Sequence, residues 1–340
     1  MYKRTPDYPP HIESYFGTDR PLWSVMIPVY NCFNYLEEAL ESVLKQALEI
    51  ELMQIEVIDD CSTDGNVEKL VNDIGKGRVA YYRQKANSGS LRNFESCINR
   101  SKGEYIHLLH GDDRIETGFY ETIGTLFQDY PEAGAAFTNF NYIDHKSDIV
   151  SVKNESILGT QGLIPNFVNK IAFRQLIQPP AIVVRRTTYE KLGSFYAVHY
   201  GEDWEMWTRI ASKFPIAYSP QYLASYRFNH DTGLSHESFR TGQNVTDVMK
   251  VINIIQNYLP EHKRSKIKKA SLVYYAKYCV KVANGLLLNN KKAAFLQIKG
   301  AWNMNKDFTT LYWIIRFYGM YIIRYKQIEN IIRGRKKEHN

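Results

Sequence analysis

Residues 23–60 read WSVMIPVYNCFNYLEEALESVLKQALEIELMQIEVIDD, and the order of patterns inside them decides the fold. WSVMIPVYN is a compact apolar run with β-branched residues that stops at Asn31, as a buried strand does. NYLEEALESVLKQAL then puts Leu36, Ala39, Leu40, Val43, Leu44 and Ala47 on one helical stripe. Asn34, with Glu37 three residues later, resembles a capping box at the start of that helix. MQIEVIDD returns to the strand pattern. A strand, a helix and a strand with no hairpin signal between them make a parallel crossover unit.

The alternation continues outward. STDGNVEKLVNDI reads as a turn and helix, RVAYYRQ as a third strand, SLRNFESCINRS as a third helix and EYIHLLHGDD as a fourth strand. The pattern predicts an α/β fold, a mostly parallel sheet sandwiched by helices. After GAAFTNFNYID, residues 144–162 are polar with few periodic apolar positions and read as a loop. PNFVNKIAFRQLI and PPAIVVRRTTYEKLGSF give a helix, a strand and a short helix, leading into GEDWEMWTRIA, residues 201–211. Beyond YRFNHDTGLS the chain becomes basic, aromatic and helical. The expected division is a leader over 1–20, a catalytic domain over 21–238 and a basic helical region over 239–340.

Composition narrows the function classes. With 44% hydrophobic and 23% charged residues, 340 residues can bury a sizeable core. From Glu261 onward there are 18 Lys and Arg against 4 Asp and Glu, whereas the preceding 260 residues hold 25 against 32. An acidic body with a basic tail leaves anionic lipid, nucleic acid, an acidic partner or plain solvation open for the tail. The four cysteines lie far apart with no C-x-x-C pair, as free thiols in a reducing compartment would. The first 21 residues have no apolar core of the secretory kind. The best candidate span, LYWIIRFYGMYIIRY, is interrupted by Arg316 and Arg324. The expected location is cytoplasmic.

In parallel sheets, ligands bind at the carboxyl ends of the strands. The sequence places Tyr30-Asn31, Asp59-Asp60 and Asp112-Asp113 at three such ends. No G-x-G-x-x-G follows the first strand and no G-x-x-x-x-G-K-[ST] occurs, so the backbone cradles of dinucleotide and P-loop enzymes are missing. Carboxylates repel phosphate, and a phosphate ligand here requires a divalent cation in between. Asp112 and Asp113 offer hard oxygen ligands for Mg²⁺ or Mn²⁺. Taken alone, each pair also fits a solvated turn or a helix cap. A further carboxylate pair, Glu202-Asp203, opens a helix that carries Trp204 and Trp207.

Seven stretches in order, SVMIPVYN, VIDDCSTDG, NSGSLRN, SKGEYIHLLHGDD, VVRRTTYEKLGSF, GEDWEMWTRIA and YRFNHDTGLS, resemble the family 2 glycosyltransferases over about 24–235. These are inverting enzymes of GT-A fold that use nucleotide sugars. The resemblance implies that Pro28, Tyr30 and Asp60 line the base and ribose pocket, with Asp59 and Asn87 at its border. It assigns Asp112 and Asp113 to the metal and diphosphate, with His230 as a further ligand. Asp203 becomes the catalytic base, Glu202 and Arg92 face the acceptor or sugar, and Trp204 packs on a sugar face. Trp207, one turn into an amphipathic helix, reads as core. Three departures stand out: His110 replaces a frequent Asp and so reads as a bystander, NSGSLRN is short, and His230 falls one position late.

The implied activity is metal-dependent transfer of a sugar from a nucleotide donor to a hydroxyl of a glycan or lipid-linked acceptor, in cell-surface polysaccharide synthesis. The rivals are a nucleotide-sugar-binding protein without catalysis, a component of a membrane polysaccharide synthase, and nucleic-acid binding by the tail. In the tail Leu311, Ile314, Ile315, Tyr318, Ile322 and Tyr325 fall near one helical face. That face would either lie on a membrane or pack inward.

Overall fold

The computed structural model describes residues 3–152, 157–228 and 234–323. The chain divides into two compact units, one of residues 1–171 with 175–232, the other of 172–174 with 233–340.

The first unit is the α/β body. Strand β1 (Trp23–Val29) is buried along its whole length, and helix α1 (Phe33–Leu44) buries Leu36, Ala39, Leu40 and Val43. The stripe read from the sequence is therefore the packed face, although the helix stops before Ala47. Its expected capping box does not form: no side chain caps the helix at Cys32. The Phe33 amide instead donates to the Asp64 carboxylate at 2.9 Å, so the cap comes from the following loop.

Strand β2 (Met53–Asp59), helix α2 (Val67–Gly75), strand β3 (Ala80–Arg83), helix α3 (Ser90–Arg100) and strand β4 (Tyr105–Leu108) complete the crossover half. Next come strand β5 (Arg114–Ile115), helix α4 (Phe119–Asp129), and strands β6 (Ala135–Ile143), β7 (Ile149–Val152) and β8 (Gly162–Leu163). The unit closes with helix α5 (Phe167–Ile171), strand β9 (Ile182–Arg185), helices α6 (Arg186–Leu192) and α7 (Glu202–Ala211), and strand β10 (Ile216–Arg227).

The sheet order is β3-β2-β1-β4-β9-β6-β10-β5, with β7 on β6 and β8 on β10. Strands β3, β2, β1 and β4 are mutually parallel, whereas β9 runs antiparallel between β4 and β6. The polar stretch taken for a loop contains β7, which turns back on β6 through Ser147 in the left-handed region. Strand β10 escaped the sequence reading because Pro220 interrupts it, and its register against β6 shifts at that place.

Register positions the strand ends. Val29 pairs with Asp59, so Tyr30-Asn31 and Asp60 leave the sheet side by side. The β10–β5 pairing, with Ser225 opposite Arg114, carries Arg227 to the turn before β5. That turn holds Asp112 and Asp113.

The second unit is helical: α8 (Leu234–Thr241), α9 (Gln243–Ile255), α10 (Glu261–Leu286), α11 (Lys291–Met304) and α12 (Phe308–Ile322). No helix among the described residues is long and apolar enough to cross a membrane.

Candidate active site

The site grows from three strand ends and one helix start. At the end of β2, Asp59 is fully buried and accepts from the Ser62 amide at 2.7 Å and the Tyr81 hydroxyl at 2.8 Å. The Arg83 guanidinium also pairs with it. Asp60 accepts from the Ser88 amide and hydroxyl, both at 2.7 Å, and from the Gly89 amide at 2.8 Å. Asn87 donates to the Asp60 carbonyl at 3.0 Å and accepts from Arg4. Asp59 thus ties the loop after β2 to β3, and Asp60 braces the loop before α3.

Pro28 is buried within β1, and its carbonyl accepts from the Gly111 amide. Tyr30, half-exposed, is the residue of the base-pocket set that offers a ring face. Asn31 and Cys61, just past β1 and β2, both sit at positive φ, a strained placement for side chains at strand ends. Arg92 donates to the Lys3 carbonyl at 2.9 Å and pairs with Glu95 at 2.6 Å, which ties its guanidinium to the leader and its own helix.

The HGDD turn is pinned from both sides. Gly111 is required there, since a Cβ would stand 2.9 Å from the Cys32 sulfur and from a Val29 methyl. Arg227 clamps the other side: its amide donates to Asp113 Oδ1 and its Nε to the Asp112 carbonyl, both at 2.8 Å. Glu38 holds the same guanidinium at 2.5 Å.

Ligand atoms of His110, Asp112 and Asp113 lie within 4.8 Å of one another, so His110, read as a bystander, stands within ligand distance of both acids. The His110 ring stacks on Phe94 with centroids 5.1 Å apart, and burial pushes its proton affinity down, keeping the imidazole neutral as a metal ligand must be. Asp113 is buried, and its Oδ2 has no hydrogen-bond partner among the described residues. Burial, then the neighbouring Asp112 charge, pushes the Asp113 carboxyl well above the ordinary range. An orphaned buried oxygen beside a second carboxylate and a neutral imidazole fits a divalent cation. His230 lies outside the described residues.

Helix α7 begins at Gly201, whose φ of 85° lets the chain turn sharply into the Glu202-Asp203 pair. Asp203 Oδ1 accepts from the Trp204 amide at 2.6 Å, and Gln175 Nε2 donates to Oδ2 at 2.5 Å. Burial outweighs these bonds and pushes the carboxyl up to about 7. A cleft lined by Phe94, His110, Phe195, Glu202, Asp203 and Trp207 joins this carboxyl to the histidine of the acid cluster.

Trp204 does not serve a sugar. It is 1% exposed, and its indole donates to the Ile171 carbonyl at 2.6 Å, which fixes it in the core. Trp207 is buried as expected and walls the cleft. The sequence reading missed Gln175, Arg227 and Phe94. Arg227 stood inside a quoted motif, whereas Gln175 carries no local signal 28 positions before its partner.

Parallel strands that end at an acid-lined crevice give the first unit the layout of a GT-A-type fold. Through residues 24–192 the chain belongs to glycosyl transferase family 2. The fold resembles crystal structures of Staphylococcus aureus TarS residues 1–349, with TM-score 0.60 and 16% identity over 90% of this chain and 91% of that one. The same fragment in complex with UDP-GlcNAc gives TM-score 0.55. An uncharacterized glycosyltransferase of Rickettsia felis is 28% identical over 63% of this chain and 35% of its own length. An uncharacterized protein of Mycobacterium tuberculosis is 25% identical over 72% of this chain and 80% of its own. The chain thus spans about a third of the Rickettsia relative.

Proposed function

We propose that the protein transfers a sugar from a nucleotide-sugar donor to a hydroxyl of a glycan or lipid-linked saccharide, with inversion at the anomeric carbon. The setting is cell-surface polysaccharide assembly at the cytoplasmic face of a membrane. One observation carries the reading: a desolvated carboxyl, Asp203, shares a cleft with His110, whose ring lies within ligand distance of Asp112 and Asp113. Family membership and the TarS complexes with UDP and UDP-GlcNAc support a nucleotide-sugar donor.

Asp203 takes the acceptor proton as the new bond forms, and a proton affinity near neutrality suits that task. Gln175 and the Trp204 amide hold the carboxylate in place. Tyr30 offers a ring to the donor base, while Asp59, Asp60 and Asn87 shape the wall behind it. Asp112, Asp113 and His110 would hold Mn²⁺ or Mg²⁺, and the imidazole tilts the set toward Mn²⁺. When bound, the cation would neutralise the charge that develops on the leaving diphosphate.

Replacing Asp203 by Asn tests the reading. Turnover, followed as nucleoside diphosphate release with a panel of nucleotide sugars and acceptors, should fall about 10²- to 10⁴-fold while donor affinity is kept. Near-normal turnover in the folded variant removes Asp203 from the role of base.

A further inference from the structure

Helix α12 is apolar around most of its circumference, and among the described residues only one side of it is buried inside the helical unit. Thr310, Ile314 and Phe317 face inward and are buried, and the Phe295 ring meets Phe317 edge-on at 6.0 Å. On the opposite side stand Phe308, Tyr312, Ile315 and Ile322, exposed to 91, 61, 61 and 74%. Their spacing keeps them in one line along the helix. A helix that only borders water would present polar residues there. The sequence expectation of a single apolar face is thus corrected: Ile314 packs inward, whereas Leu311, Ile315 and Ile322 point out.

Cations stand around the helix, two of them on rings beside its packed side. Lys277 lies 5.3 Å from the Trp313 ring centroid and Lys291 lies 5.9 Å from that of Tyr321. Lys306 and Arg316 are exposed beside the strip. The only acid in residues 291–323 is Asp307, and its carboxylate is taken up by the N-cap bond from the Thr310 amide at 2.7 Å. Residues 324–340 add six Lys and Arg against two Glu.

We propose that this face of α12 seats the protein in the headgroup layer of an anionic bilayer. The inference deepens the proposed function by naming the surface that reaches a lipid-linked acceptor, and rests on that reading for its purpose alone. Apolar side chains flanked by Lys and Arg sink into the headgroup boundary while the cations meet anionic lipid. A second copy of the chain is the poorer occupant, because two strips face to face would bring two sets of cations together. Crossing is excluded for α12 itself: 15 residues rise about 22 Å, short of the roughly 30 Å hydrocarbon layer, and Arg316 sits mid-helix.

The test is co-sedimentation of the full chain with phosphatidylcholine vesicles, with and without phosphatidylglycerol. Binding should be at least tenfold stronger to the anionic vesicles and fall as NaCl rises from about 0.1 to about 0.5 M. The double variant Ile315→Asp, Ile322→Asp should lose that binding at least tenfold while keeping its melting temperature and its donor turnover on a soluble acceptor. No binding by the wild type, or unchanged binding by a folded double variant, overturns the proposal. So does a wild-type dimer that the double variant dissolves, which would mark a contact between copies. Vesicle binding as expected without any sugar transfer would instead sink the proposed function and leave this surface standing.

Discussion

Asp59-Asp60 and Asp112-Asp113 are the same dipeptide at the carboxyl side of two strands of one sheet, set in opposite surroundings. The first pair is surrounded by donors: Ser62, Tyr81 and Arg83 on Asp59, and Ser88 and Gly89 on Asp60. The second pair keeps a buried oxygen without a partner among the described residues, and Asp113 gains proton affinity from the charge beside it. On the proposed function, a carboxylate held by three protein donors serves as scaffold. One left desolvated next to another acid is poised for a cation. On the proposed function, what separates the two pairs is what surrounds each.

Between the two pairs, the larger effect on turnover should follow from damage to the second. Asp112→Ala should lower turnover by about 10²-fold or more, since charge stabilisation by a bound cation contributes several kcal/mol. Wild-type turnover should vanish in chelator and return with Mn²⁺. Full turnover in excess chelator, with metal shown to be stripped, would leave the two pairs functionally alike.

Damage to the first pair should appear as lost stability. Asp59→Ala breaks a buried ion pair and strands the Tyr81 hydroxyl, at a cost of about 2–3 kcal/mol, the low end because Arg83 is partly exposed. Thermal melting should drop by roughly 4–12 °C in a domain of this size. An unchanged melting temperature would show that Asp59 is not scaffold.

The more gradual effects, with pH, concern Asp203, which shares the desolvation of Asp113. Its carboxyl must be ionised to accept a proton and sits at about 7, so turnover should rise about tenfold per pH unit below that value and level off above it. A profile flat between about pH 5.5 and 8.5 would contradict this. The sign for stability is opposite. The folded carboxyl holds its proton more tightly than the unfolded one, near 3.9, so stability falls as pH rises from about 4 to about 7. Asp203→Asn, which cannot ionise, should flatten that decline.

The crossover half of the fold was legible because its information is local: the buried run of β1 and the stripe of α1 each lie within a dozen residues. The antiparallel β9 and the interrupted β10 were not, because their orientation and register are set by partners far along the chain. The site divides in the same way. Asp112, Asp113 and Asp203 announced themselves as acids at strand and helix ends. Gln175, the clamp at Arg227 and the approach of His110 to the two acids are tertiary facts, and Trp204 misled because its core position depends on the Ile171 carbonyl.

The comparison of the two acid pairs is tested most directly by Mn²⁺ titration in the presence of UDP, read by the paramagnetic resonance of free Mn²⁺. It should be run on the wild type, Asp59→Asn and Asp113→Asn at a temperature where all three are folded. Asp59→Asn should bind Mn²⁺ within a few-fold of wild type, and Asp113→Asn should weaken it by about tenfold or more. Loss of Mn²⁺ binding in Asp59→Asn with retention in Asp113→Asn would contradict the assignment of the two pairs.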